Sequence, residues 1–203
     1  MVPFDSASDA GFNEGNAAQY TWDIPHNIPE LIRRMGGNRK TVEKLDYFTS
    51  RILTKGWNVT APFYWPSNQP SFLAPVIYNY AGAPEKAQAL IRKSVTSIFR
   101  NSPDGLPGND DLGATSAMFL FQAAGIYPVV PGKPEVTITG TTLNKIEFLL
   151  DNGSKITIDT KRDNPENEVI KTIKINGQVS NSYFVSLEDV VTKRSDLHIE
   201  LDY

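Results

Sequence analysis

The sequence predicts an α+β fold, with helical hairpins over residues 1–132 followed by a small antiparallel β region over 133–203. Three observations predict it. Before about residue 132 the apolar residues recur three and four positions apart, the spacing of one helix face. After it they alternate with polar residues, the period of a strand with one covered face. Asn152-Gly153 and Asn176-Gly177 each stand between apolar runs of the strand type, a strong hairpin signal.

The elements follow in order. Ile28, Leu31, Ile32 and Met35 make a helical stripe that Gly36-Gly37 caps. Val42, Leu45, Phe48, Ile52 and Leu53 predict a second helix from about Arg39. The apolar run from Leu73 to Tyr80 predicts a third, in which Pro75 fits only the first turn. Pro84 opens a fourth through Ala87, Leu90, Ile91, Val95 and Ile98. Ala114 to Ala124 is the last, ended by Gly125 and Pro128. Strands are predicted at Val136–Thr139, Ile146–Leu150, Ile156–Ile158, around Ile170–Ile175 and at Leu197–Leu201, with Lys161 to Glu168 as a polar loop. Five or six short strands leave sheet edges that need cover, so neither part is expected to close by itself.

Composition removes several function classes. The chain has 203 residues, 40% hydrophobic and 21% charged, with net charge −3. An acidic balance argues against a nucleic-acid partner, which needs a basic face to displace counterions from phosphates. Without cysteine there is no disulfide or thiolate metal site, and His26 and His198 alone do not furnish an ordinary zinc site. No apolar run approaches the roughly 20 residues of a membrane helix. The start, Met1-Val2-Pro3-Phe4, has neither a basic region nor an apolar core, so no signal peptide is expected in this chain.

Three polar constellations carry chemistry. In the first, Glu14 to Asn27, amides, carboxyls and an imidazole (Glu14, Asn16, Gln19, Asp23, His26) share a stretch with Tyr20 and Trp22. Buried polar atoms need partners, so an ordinary core segment is not built this way. Either it is a polar loop capping the helix near Pro29, or it binds a sugar through hydroxyls and aromatic faces. In the second, Asp104 to Gly113, Asp110 and Asp111 precede a helix. They are either caps for free N–H groups at its positive end or a general base with a neighbour that binds a cation or orients water. The third, Trp65 to Ser71, is a turn whose Asn68 and Gln69 oxygens suit a hard cation such as Ca²⁺.

These blocks, in this order, resemble family 92 glycoside hydrolases, which are α-mannosidases. The resemblance rests on Glu-Gly-Asn-Ala-x-Gln-Tyr-Thr-Trp-x-x-Pro-His at 14–26 and Ile-Pro-x-Leu-Ile-x-x-Met-Gly-Gly at 28–37. It continues through Asn-x-Pro-Ser at 68–71 and Tyr-Asn-Tyr-Ala-Gly-x-Pro at 78–84. Its most specific part is Ser-Pro-Asp-Gly-Leu-Pro-Gly-Asn-Asp-Asp-x-Gly-x-x-Ser-Ala at 102–117, with Gly-Ile-Tyr-Pro-Val-x-Pro-Gly at 125–132. It covers nearly all of 11–132 and the β tail more loosely.

The resemblance implies an exo-acting, inverting, Ca²⁺-dependent α-mannosidase, of the α-1,2 type, acting on terminal mannose of glycans. It makes 1–132 the carboxy-terminal part of an (α/α)₆ catalytic barrel. It implies Glu14 as general acid and Asp111, preferred over Asp110, as general base. Asn68, Gln69 and Asp111 become candidate Ca²⁺ ligands, and Asn16, Gln19, Tyr20 and His26 candidate substrate contacts. The chain departs from the family pattern at Ala18, Gln69, Phe72 and Met118, and a neutral Gln69 weakens the attraction for Ca²⁺. Family chains are several times longer, which implies a missing amino-terminal portion as partner, an inactive isolated chain, and a periplasmic or secreted parent. The competing reading is a non-catalytic carbohydrate-binding or interaction module.

Overall fold

The computed structural model describes residues 5–164 and 166–203; Met1–Phe4, the stretch read for a leader, and Pro165, within the polar loop, lie outside the described residues. The helical part runs through α1 (Ala17–Tyr20), α2 (Ile28–Arg34), α3 (Asn38–Thr49), α4 (Ala74–Tyr80), α5 (Pro84–Ser97) and α6 (Ala114–Ala124). The stripe of α2 buries Ile28 and Ile32, while Asn27 caps its start by accepting from the Glu30 amide. Gly36 and Gly37 take positive φ, and the Gly37 amide reaches back to the Ile32 carbonyl, closing the helix. The α3 helix ends at Thr49, short of the predicted Leu53, which turns left-handed (φ 65) and points to solvent. Ile52 stays buried although it is outside the helix. Pro75 and Pro84 both sit in first turns, where a missing N–H costs nothing. Leu45, Ala74, Val76 and Ile77 have no exposed surface, and with Trp22, Phe48, Tyr64 and Met118 they form the first core.

The β part holds two sheets. The smaller orders β1 (Ile126–Tyr127), β2 (Glu135–Ile138) and β7 (Phe184–Ser186), all antiparallel. The larger orders β3 (Lys145–Leu149), β4 (Lys155–Lys161), β8 (Leu197–Asp202), β5 (Thr172–Ile175) and β6 (Gln178–Ser180). Both Asn-Gly pairs make hairpins. The tighter pairs Ile175 with Gln178 across Asn176-Gly177, whose φ values of 48 and 79 give the left-handed turn that matches strand twist. The region is not antiparallel throughout. β8 pairs parallel to β4, from Ile156–Leu197 to Lys161–Asp202, so the larger sheet is mixed. The short helix α7 (Glu188–Thr192) precedes β8, and the chain between β4 and β8 makes the crossover that a parallel pair requires.

The two parts share a joint. Packing changes hands within residues 124–129: Ala124 and Ile126 belong to the β-side core, Tyr127 and Val129 to the helical one. Gly125 permits the sharp exit from α6, since a Cβ there would lie 2.9 Å from the Gly140 carbonyl carbon. Asn79 of α4 donates to Thr137 Oγ1 at 2.7 Å and to the Ile138 carbonyl at 2.8 Å. The Ile170 amide donates to Gln88 of α5, and the Thr141 amide to the Tyr203 hydroxyl, each at 2.8 Å. The Arg162 guanidinium lies 3.6 Å from the centroid of the Tyr203 ring.

Candidate active site

Loops of the helical part line an open cavity of about 520 Å³, with Phe12, Glu14, Trp65, Asn68, Asn109 and Asp111 among its walls. A second cavity of about 290 Å³ shares Glu14, Asn68 and Asp111 and adds Asn13, Asp23 and Gln69. The two therefore meet at the carboxylates singled out in the sequence. A gap of about 10 Å³ at the joint between the two parts has room for one water and no sugar.

Glu14 sits on a left-handed residue (φ 50) just before Gly15, where a Cβ would come 2.8 Å from the Tyr20 ring. The Asn68 side-chain amide donates to the Glu14 carbonyl at 2.7 Å. Asn16 accepts from the Gln19 amide, capping α1, and donates to the carbonyls of Thr60 and Ala61. Gln19 is fully buried, with its Nε2 directed at the Val59 carbonyl at 3.0 Å. Carbonyls of the 59–63 loop take its amide, and it braces the wall. Tyr20 donates to the Asn13 carbonyl at 2.6 Å and rests its ring against Phe12. His26 lies on the single turn Pro25–Asn27 and is not among the residues lining either cavity.

The adjacent aspartates divide. Asp110 accepts the Ser116 amide on its carboxylate at 2.9 Å and the Thr115 amide on its carbonyl at 3.1 Å, so it caps α6. Asp111 faces the cavities from the first of three left-handed residues, Asp111, Leu112 and Gly113, with φ 49, 58 and 94. Left-handed conformations in side chains other than glycine cost about 1–3 kcal/mol each and cluster at functional sites. Gln69 donates from Nε2 to Asp111 Oδ2 at 2.7 Å. Ser67, one residue before Asn68, bonds to the Asn109 carbonyl and the Thr115 hydroxyl, fastening the two loops together.

Phe12 and Asn13, outside the three constellations, also line the walls, as does Trp65, the first residue of the third constellation, with its ring 4.4 Å from that of Trp57. Asp23, part of the first constellation, also lines the smaller cavity, and desolvation pushes its carboxyl above the usual range. The donors of that cavity are oxygens: three carboxylates, three amides and a phenol. That set has the chemistry of a hard cation site. Among the described residues, however, no three acidic or imidazole side chains converge as a ready metal group, and the amide nitrogens of Asn68 and Gln69 are engaged. A cation here would be held by amide oxygens and Asp111. Among the described residues no helix is long and apolar enough to cross a membrane.

The family model of the glycosyl hydrolase family 92 catalytic domain matches residues 1–202. A protein of Arthroderma benhamiae described as an uncharacterized secreted glycosidase is 37% identical over 106 residues, 52% of this chain and 12% of its own length. The structure of a family GH92 alpha-mannosidase from Bacteroides thetaiotaomicron superposes with a TM-score of 0.85 at 28% identity, covering 100% of this chain and 26% of that one. A family GH92 inverting mannosidase of the same organism gives a TM-score of 0.81 at 25% identity, covering 100% of this chain and 29% of that one. The chain thus spans less than a third of these two solved enzymes.

Proposed function

Because the chain belongs to glycosyl hydrolase family 92, matching its catalytic domain, we propose that it forms the acid–base half of an inverting exo-α-mannosidase. The observation that carries this reading is that Glu14 and Asp111, on separate loops, line the same pair of cavities. In inverting hydrolysis two carboxyl groups about 6.5–9.5 Å apart flank the sugar. Glu14 gives its proton to the departing glycosidic oxygen as the bond to the anomeric carbon breaks. Asp111 takes a proton from a water that attacks that carbon from the opposite face. Mannose leaves with inverted configuration, the aglycone leaves as an alcohol, and the two carboxyls exchange protonation states before the next turnover.

Ca²⁺, when bound by Asn68, Gln69 and Asp111 oxygens, would supply positive charge beside the sugar hydroxyls and help distort the ring. The substrate is a terminal α-linked mannose of a glycan, of the α-1,2 type. The parent enzyme is periplasmic or secreted, in keeping with the relative called secreted. Asn16 in the wall of the larger cavity and Tyr20 in the wall of the smaller one are the side chains placed to meet the sugar. The rest of the barrel comes from the amino-terminal portion of the longer protein, and without it the 203-residue chain releases no mannose.

The test uses the intact enzyme. Glu14→Gln and Asp111→Asn should each abolish mannose release while the protein still folds, and NMR of the first-formed product should show β-mannose. Turnover that survives both substitutions sinks the enzyme reading and leaves a sugar-binding module.

A further inference from the structure

Asn68 and Gln69 are neighbours in the chain, yet their side chains reach the two loops that carry the carboxylates. Asn68 Nδ2 donates to the Glu14 carbonyl and Gln69 Nε2 donates to Asp111 Oδ2, each at 2.7 Å. These contacts bridge separations of 54 and 42 residues. From them we infer that the Asn68–Gln69 pair acts as a caliper: it sets the separation of the Glu14 and Asp111 carboxyl groups, with Gln69 as the positioning residue for Asp111. The inference rests on the acid and base assignment above.

Three physical features support it. Both carboxylates stand on left-handed backbone (φ 50 and 49), which persists only where the surroundings over-determine it. Asp111 has little apolar support, because the side chain of the next residue, Leu112, projects wholly into solvent. Its backbone is held by the Ala114 amide at 3.3 Å, so its carboxylate needs a tether of its own, and Gln69 is that tether.

The platform under the tether is stiff. Gln69–Ser71 form one 3-10 turn with Pro70 and Ser71 buried, closed by bonds from Ser71 to the Asn68 carbonyl and from Phe72 to the Gln69 carbonyl. Asn68 is itself buried. A rigid pair of amides therefore joins both loops with no added charge.

The experiment is a comparison of Gln69→Leu, Gln69→Asn and Asp111→Asn in the intact enzyme. Gln69→Leu keeps roughly the volume and removes the donor together with the amide oxygen proposed for Ca²⁺, so all three variants are assayed at saturating Ca²⁺. Gln69→Leu should lower kcat by about tenfold to a hundredfold with KM nearly unchanged, the signature of a misplaced group rather than lost binding. Gln69→Asn, which keeps an amide on a shorter stem, should fall between it and the wild type. A crystal structure of the Gln69→Leu enzyme should show the Asp111 carboxylate rotated from its place. A wild-type kcat in Gln69→Leu beside an inactive Asp111→Asn overturns the caliper and leaves the acid–base assignment standing. So does a reduced kcat with the Asp111 carboxylate unmoved. Full turnover in Asp111→Asn overturns both.

Discussion

Asp110 and Asp111 adjoin in the sequence and face different partners. The sequence leaves cap and base open for both, because the same residue type serves either task at a helix start. The fold separates them through the left-handed turn at Asp111, which points one carboxylate at the Ser116 amide and the other at the cavities. Asp110→Ala should therefore cost about 1 kcal/mol of stability in denaturant unfolding, the usual value of a lost cap. Asp111→Gly, freed of left-handed strain, should gain up to about 1 kcal/mol while turnover disappears. Asn16 and Gln19 were legible as polar residues that needed partners, but residue type alone cannot distinguish a sugar hydroxyl from a backbone carbonyl. Tyr64 gives a pH prediction. Burial pushes its hydroxyl from 10 up to about 12, with Ser94 and Gln122 pulling weakly the other way. The folded state therefore holds the proton that the unfolded state releases above pH 10. Its contribution to stability is intact below pH 10 and declines as pH rises toward 12, by roughly 1.4 kcal/mol per unit. Stability of Tyr64→Phe measured against pH should lack that share of the alkaline loss.

At the scale of elements, α2 to α6 were legible because apolar spacing, prolines in first turns and glycine stops all agree. Both hairpins were legible from their Asn-Gly turns. The short pieces α1, β1 and β7 were not, since two to four residues carry no period. The parallel β4–β8 pairing was not legible either, because alternation specifies which face is buried and is silent on the neighbour and its direction. Nor did the sequence disclose the bond from α4 to the smaller sheet through Asn79, which lies in an otherwise apolar helix. Asn79→Ala removes one donor from the buried Thr137 hydroxyl, which keeps its own bond to the Tyr183 carbonyl, and leaves the Ile138 carbonyl one partner fewer. It should cost about 1–3 kcal/mol, read as a lower denaturant midpoint. Asn79→Leu should cost no less.

For the whole molecule, Tyr47, Leu53, Leu112 and Leu120 are exposed apolar residues of the helical part, the part that carries the cavities. If, as proposed, the chain supplies one part of a larger catalytic barrel, the chain alone should show no mannose release in a sensitive sugar assay. It should also self-associate in sedimentation at concentrations where the intact enzyme does not. Steady mannose release by the isolated chain would contradict the first expectation, and monodisperse behaviour the second.

The place of β8 has a consequence for the order of assembly. It lies between β4 and β5, both synthesised well before it, and its first paired residue, Leu197, meets Ile156. The two hairpins, β3–β4 and β5–β6, form from local contacts and can arise while the polypeptide is still emerging. They cannot join until β8 arrives. During that interval each exposes an unpaired inner edge, the geometry that recruits strands from other chains. Loss of the 197–203 segment would hold the nascent protein at that stage, trading a finished sheet for two sticky ribbons.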